Sequence, residues 1–159
     1  MGIFDKNKFG SVKNDWSTPW DFFTPLMIEF NFTIDAAADA VNKKVDRFWD
    51  KSVDGLAQNW DNEVVWCNPP YGKDVPKWLE KGRSSSGTSV FLIPAKTNTV
   101  WFHKLCLTAS ELRFVKGRPK FYNYENEDKE AVHGLPIPLA LVIYRPNSDK
   151  CKVGAYDWR

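Results

Sequence analysis

The chain has 159 residues, 22 basic against 20 acidic, for a net charge of +2. That length suits one hydrophobic core. Aromatic residues make up 15%, including eight tryptophans, which excludes a disordered chain and leaves aromatic surface for stacking. The near balance of charge neither demands nor forbids a nucleic-acid partner, so any such contact would rest on local patches. Three scattered cysteines, Cys67, Cys106 and Cys151, read as reduced thiols of a cytosol rather than a disulfide framework. No apolar run is long enough to span a membrane and no signal peptide is visible. Two histidines and no Cys-x-x-Cys give poor support for a zinc site or a Ser/His/Asp machine.

Residues 1–14 are polar and lysine-rich and read as a loose N-terminal arm, with one domain expected over 15–159. Ser17 or Thr18 can cap a helix whose first turn holds Pro19, and Thr24-Pro25 repeats the device, so a kink or restart is expected there. Asn31 to Asp35 alternates as a strand and delivers Asp35 to its end. Ala36 to Asn42 reads as a tight loop running into a helical turn, and Lys43 to Trp49 as a second strand. Residues 52–62 form a loop with a turn at Asp61-Asn62. Val64 to Cys67 is a short buried strand, β-branched and aromatic.

Asp74 can cap a helix with Pro76 in its first turn and Val75, Trp78 and Leu79 on one face. Ser89 to Ile93 is an apolar strand closed by Pro94. A helix is expected from Asn98 or Thr99, and a strand over Glu111 to Lys116. Residues 117–136 make a long polar excursion before a strong strand, Ile137 to Tyr144, and a last one within Cys151 to Trp158. Strand and helix alternate from 64 to 116, which argues for a parallel sheet with crossovers. The last two strands, joined by a loop, suggest an antiparallel edge. The fold class expected is α/β, a doubly wound, mostly parallel sheet with an antiparallel edge strand. Asp35, Asn68 and Pro94 would lie on one edge of it, beyond the carboxyl ends of the strands where ligands of such sheets sit.

Chemistry concentrates at Asn68-Pro69-Pro70-Tyr71-Gly72. Pro69 has no N–H for a ladder and must stop the strand before it. Two consecutive prolines fix φ and hold Asn68 and Pro69 extended. The product is a rigid shelf with an amide side chain, main-chain carbonyls and one aromatic face. Asn68 and the Pro69 carbonyl can accept from a planar exocyclic amine while Tyr71 stacks on its ring. Accepting those protons frees the nitrogen lone pair to attack an electrophile. A plain Pro-Pro turn after a strand would show the same four residues.

This shelf resembles the Asn-Pro-Pro-Tyr signature of the amino-methyltransferases. The chain as a whole is most similar to the small phage-type DNA N6-adenine methyltransferase family. The resemblance runs over residues 15–145, through Asp15 to Pro19, Phe32 to Ala37, Gly55-Leu56 with Trp60, Asn68 to Gly72, Pro94 with Trp101-Phe102, and Gly117-Arg118 with Phe121. It implies the methyltransferase form of the doubly wound sheet. It implies methyl transfer from S-adenosylmethionine to the exocyclic amine of an adenine flipped out of double-stranded DNA, without a metal, in a bacterial host cytosol.

Carried over residue by residue, Asn68, Pro69, Pro70 and Tyr71 are the catalytic set. Trp16, Thr18, Pro19, Asp35, Ala36, Ala37, Asp54 and Asn68 line the cofactor. A glycine-rich turn is usual after the acidic residue, and Asp35-Ala36-Ala37-Ala38 has none, so alanines take the place of residues that favour positive φ. Arg118, Lys120 and Phe121 join two cations to an aromatic, which suits phosphate contact with base stacking. Glu125, Glu127, Asp128 and Glu130 behind them read as a solvated loop. Lys43, Lys44, Arg47, Lys77, Lys81 and Arg83 read as solvated faces. Two other readings share these motifs: methyl transfer to a protein glutamine amide, and a non-catalytic nucleic-acid-binding module that kept the fold.

Overall fold

The computed structural model describes residues 16–123, 136–148 and 150–159. The N-terminal arm and the acidic run lie outside the described residues. A two-stranded antiparallel ribbon pairs β1 (Trp16–Ser17) with β6 (Tyr122–Asn123). The main sheet has six strands in the order β2, β3, β4, β7, β5, β8. These are β2 (Ile34–Asp35), β3 (Val64–Cys67), β4 (Thr88–Pro94), β5 (Glu111–Val115), β7 (Leu139–Tyr144) and β8 (Lys152–Tyr156). β2, β3 and β4 run parallel, β7 runs against both β4 and β5, and β8 is parallel to β5.

The antiparallel strand is therefore interior, which corrects the expected antiparallel edge. All six residues of β7 are buried, the pattern of a strand covered on both faces. Four of the five residues of β8 are exposed, so β8 forms the edge. The step from β4 to β5 leaves one place vacant, and the chain returns from its excursion to fill it in the opposite sense.

Side chains alternate along the strands and feed two cores. Trp66, Val90, Leu92, Leu141 and Ile143 face α1 (Trp20–Phe30), which buries Phe22, Phe23 and Leu26 among them. Val65, Cys67, Phe91, Ile93 and Val142 face the other side, where α2 (Val75–Ser84) inserts Val75, Trp78 and Leu79. A π-helical turn, Phe102–Cys106, joins this second cluster. It replaces the α-helix expected there, with Leu107 N–H donating to the Phe102 carbonyl at 3.3 Å.

α1 is continuous rather than restarted at Thr24-Pro25. Both residues are exposed, so the carbonyl that loses its partner to Pro25 faces water. The helix stops at Asn31, whose φ of 53° is left-handed and whose N–H returns to the Met27 carbonyl at 2.9 Å. Asparagine tolerates that conformation better than most residues.

Residues 36–42 form the expected tight loop, closing with a turn in which Lys43 N–H donates to the Asp39 carbonyl at 3.1 Å. The strand expected over 43–49 is reduced to a single bridge, Asp35 to Phe48. The segment is tied by the backbone and side chain of Asp35, which leaves no room for a ladder. No helix among the described residues is long and apolar enough to cross a membrane.

α2 packs so closely that Gly82 has no space for a side chain. A Cβ there would lie 2.5 Å from both Phe91 and Ser89 Oγ. Alanine would gain about 1 kcal/mol of helix propensity, but overpacking a buried contact costs about 1–3 kcal/mol. Gly82→Ala should therefore lower stability in urea unfolding, by up to about 2 kcal/mol; increased stability would show that α2 moves freely on the sheet.

Candidate active site

Three parallel strands end on one edge, β2 at Asp35, β3 at Cys67 and β4 at Pro94. β5 points the same way, so Gly117 to Phe121 leaves from that edge too. Among the described residues, six polar or charged residues are buried: Ser17, Thr18, Asp35, Lys44, Ser89 and Ser110. The first four gather at this edge, and buried polar groups are costly enough to need a reason.

Asn68 follows β3 at the rim and is half-buried. Its side-chain Nδ2 donates to Thr18 Oγ1 at 3.3 Å, and Thr18 is buried. The NH2 group is thus engaged by Thr18, and no donor reaches Oδ1 among the described residues. Pro69 is buried and Pro70 half-buried, which fixes the shelf against the sheet. Tyr71 is less open than a free stacking platform. Its ring packs partly against the α1-side core, its hydroxyl is buried without a hydrogen-bond partner among the described residues, and burial pushes its phenol up. Gly72 beside it has φ of 150°, so the chain turns there on a glycine.

Asp35 is 3% exposed. Its Oδ2 accepts from Lys44 N–H at 3.0 Å and its Oδ1 from Ala37 N–H at 3.4 Å. One carboxylate thus ties the two ends of the loop after β2. Its own N–H and C=O pair with Arg47 and Trp49 on the returning chain. Burial pushes its pKa up to about 6, against the pull of the Lys44 and Ala37 N–H groups. Ala36 is buried and its N–H bonds the Trp66 carbonyl.

Asp54 is brought close through its neighbour. A Cβ on Gly55 would lie 2.2 Å from the Ala36 carbonyl, so glycine alone allows this approach. Trp60 Nε1 donates to the Gly55 carbonyl at 2.8 Å. Asp54 itself is exposed at φ 56°, with its carboxylate accepting from Leu56 N–H at 3.1 Å. It caps a 3-10 turn, Gly55–Ala57, and one of its oxygens remains open.

Pro19 is the N-cap of α1, which makes no side-chain cap hydrogen bond; Asp21 accepts from Phe22 N–H instead. Trp16 lies in β1, opposite Asn123. The β1–β6 ribbon returns residues 117–123 to the neighbourhood of Thr18. Arg118 and Lys120 are exposed there, but Phe121 is only 1% exposed and belongs to the α1-side core. Phe121 therefore offers no face to a base, which corrects its expected stacking role: the aromatic anchors the loop that carries the two cations.

Lys44 is the residue that the sequence misplaces. It reads as one more solvated cation, but it is 7% exposed, with its ammonium 4.3 Å from the centre of the Trp20 ring. Burial lowers its pKa to about 8, opposed by the charge of Asp35. No local pattern marks it, because its burial comes from Trp20, distant in sequence. Among the described residues, no cluster of His, Cys, Asp or Glu could hold a metal ion.

Residues 6–156 match the family described as DNA N-6-adenine-methyltransferase (Dam). A DNA N-6-adenine-methyltransferase of Escherichia phage T1 is 30% identical over 111 residues, covering 67% of this chain and 46% of that protein. The chain thus spans less than half the length of this relative.

Asp35 and Lys44 give stability opposite pH dependences. Asp35 holds its proton more tightly when folded, so its contribution is full below pH 3.8 and is lost as pH rises through about 6. Lys44 holds its proton more weakly when folded, so its contribution is full above pH 10.5 and is lost as pH falls through about 8. Between pH 4 and 7, the wild type should lose on the order of 3 kcal/mol relative to Asp35→Asn, followed by urea unfolding. A difference that grows in the other direction would show that Asp35 ionises easily where it lies.

Proposed function

We propose that this chain, which belongs to the DNA N-6-adenine-methyltransferase family, moves a methyl group from S-adenosylmethionine to the exocyclic amine of adenine in double-stranded DNA. The observation that carries the reading is the held amide. Thr18 engages the Asn68 NH2 group and leaves Oδ1 at the rim, between the ends of β2 and β4. An amide oxygen so placed accepts a hydrogen bond from a planar amine, and Pro69 offers its carbonyl beside it; the proton released on methylation leaves to solvent. Drawing on both amine hydrogens takes the nitrogen lone pair out of conjugation with the ring. Positioning and hydrogen bonding are then the whole contribution of the chain, with no covalent intermediate.

We read the sheet as the methyltransferase form of the doubly wound fold. α1 on one face and α2 with the π-helical turn on the other support this, as does the shared strand edge. The residues present fit the cofactor. Asp35, Ala36 and Ala37 shape the loop after β2, Gly55 brings the open Asp54 carboxylate against it, and Thr18-Pro19 closes the other side. S-adenosylmethionine, when bound, supplies an electrophilic methyl group on a sulfonium. Asp35 acts through the loop it ties, since both of its oxygens are committed to backbone N–H groups. Tyr71, three residues after Asn68 and only partly packed against the core, would meet a base flipped onto the shelf. Arg118 and Lys120 take phosphates. The setting that fits a phage enzyme of this kind is the cytosol of a bacterial host.

Asn68→Ala should lower turnover on adenine-containing DNA by at least 10²–10³-fold, the scale for losing one placed transition-state hydrogen bond. Calorimetric affinity for S-adenosylmethionine should stay within about twofold. Full transfer of labelled methyl in that variant would discard the mechanism.

Thr18→Val keeps the bulk and removes the acceptor that holds the Asn68 amide. Its turnover should fall about tenfold, in line with a loosened but present group, while cofactor affinity is retained. Turnover equal to wild type would show that Asn68 is aligned by the prolines alone.

A further inference from the structure

We propose that Lys44 is a cofactor-binding residue, its ammonium, at the end of a largely buried side chain, receiving the carboxylate of the amino-acid tail of S-adenosylmethionine; this rests on the reading above. A lysine that is 7% exposed normally faces a carboxylate, because a buried unpaired ammonium is costly. Lys44 has no carboxylate within 4 Å among the described residues. The Asp35 carboxylate binds the Lys44 backbone N–H instead, at 3.0 Å. What faces the ammonium is the Trp20 ring, 4.3 Å from its centre. A ring face attracts a cation but accepts no hydrogen bond in the ordinary sense, so the N–H donors of Lys44 are left for a group outside the chain.

The location decides which anion. The backbone of Lys44 is fixed to Asp35 at the end of β2, and Trp20 follows Thr18 and Pro19, the segment that holds Asn68. The ammonium is thus held between the loop after β2 and the start of α1, the two segments that flank the cofactor in the proposed reading. A DNA phosphate needs an exposed cation, as Arg118 and Lys120 are; a buried one fits a small ligand that enters the fold. The carboxylate of the cofactor is the anionic group that such a ligand brings. Asp35 is then a positioning residue for Lys44, and the slight exposure of the side chain suits a ligand that completes the burial.

The experiment measures calorimetric affinity of wild type, Lys44→Met and Lys51→Met for S-adenosylmethionine and for its decarboxylated analogue. Wild type should prefer the carboxylated ligand by about 10–100-fold, the scale of a charge-assisted hydrogen bond. Lys44→Met should lose that preference and bind both ligands at the level of the analogue, while exposed Lys51 should not matter. Its melting temperature should equal or exceed that of wild type, since methionine carries no charge to bury. The affinity of Lys44→Met for a DNA duplex, and its dependence on salt, should be unchanged.

Equal affinity of wild type for the two ligands would overturn the assignment whether or not the variant folds. A Lys44→Met protein that keeps the preference would do the same, as would one that loses a phosphate contact, seen as a shallower salt dependence. A wild type that binds neither ligand would overturn the proposed function along with it.

Discussion

A carboxylate held out of water at the end of β2 keeps the functional edge in shape. Asp35 reaches across the loop that follows it and bonds Ala37 at the start and Lys44 at the end. Its backbone meanwhile pairs with Arg47 and Trp49 where the chain returns. Desolvation opposes this arrangement, as the rise of its pKa to about 6 shows. Two backbone N–H bonds and the positive charge of Lys44 offset part of that cost. Without the Asp35 carboxylate, Ala37 and Lys44 N–H would lose the acceptor they share, while Ala36 would still be held by the Trp66 carbonyl.

The second half of the edge depends on prolines. Pro69 and Pro70 deny the chain the N–H groups that would extend β3, so Asn68 is left at the rim with an unpaired amide. Thr18 captures that amide from a segment fifty residues earlier. Thr18 is itself placed twice, by β1 pairing with β6 on one side and by α1 starting at Trp20 on the other. The two halves meet because α1 packs on the face of the sheet that presents Trp66, and Phe23 lies 5.1 Å from that ring, edge to face. Helix packing far from the rim therefore sets the geometry of the rim.

Much of this was legible from residues alone. Val64 to Cys67 is a strand with the expected bounds, because a β-branched run stopped by proline admits few other structures. The place of Asn68 just past the end of that strand was readable for the same reason, since consecutive prolines leave little conformational choice. The placement of β7 was not, although Leu-Ala-Leu-Val-Ile-Tyr carries no polar alternation and so belonged in an interior position. Lys152 to Tyr156, polar and glycine-containing, matched an edge. Segment 43–49 was misread as a strand because its structure comes from Asp35, and propensity does not register one buried carboxylate. Phe121 and Lys44 exchange the roles their types suggest. The aromatic is in the core and the lysine is at the site, each by contact with a segment remote in sequence.

The exchange has a physical logic. On the proposed reading, a loop that carries cations to DNA must itself be fixed, and Phe121, buried beside Arg118 and Lys120, would fix it without competing for the phosphates. On the same reading, a site for a zwitterion needs charge where water is scarce, because the same ammonium on the surface would be screened and hydrated. Asp35 and Lys44 supply both signs within nine residues of chain, and neither neutralises the other through a direct side-chain pair. Keeping them apart lowers the stability of the empty fold, and binding restores what burial took. A fold that bound Lys44 to Asp35 directly would be more stable and would have nothing left with which to hold a ligand, so the unpaired ammonium is best understood as stability given up for binding.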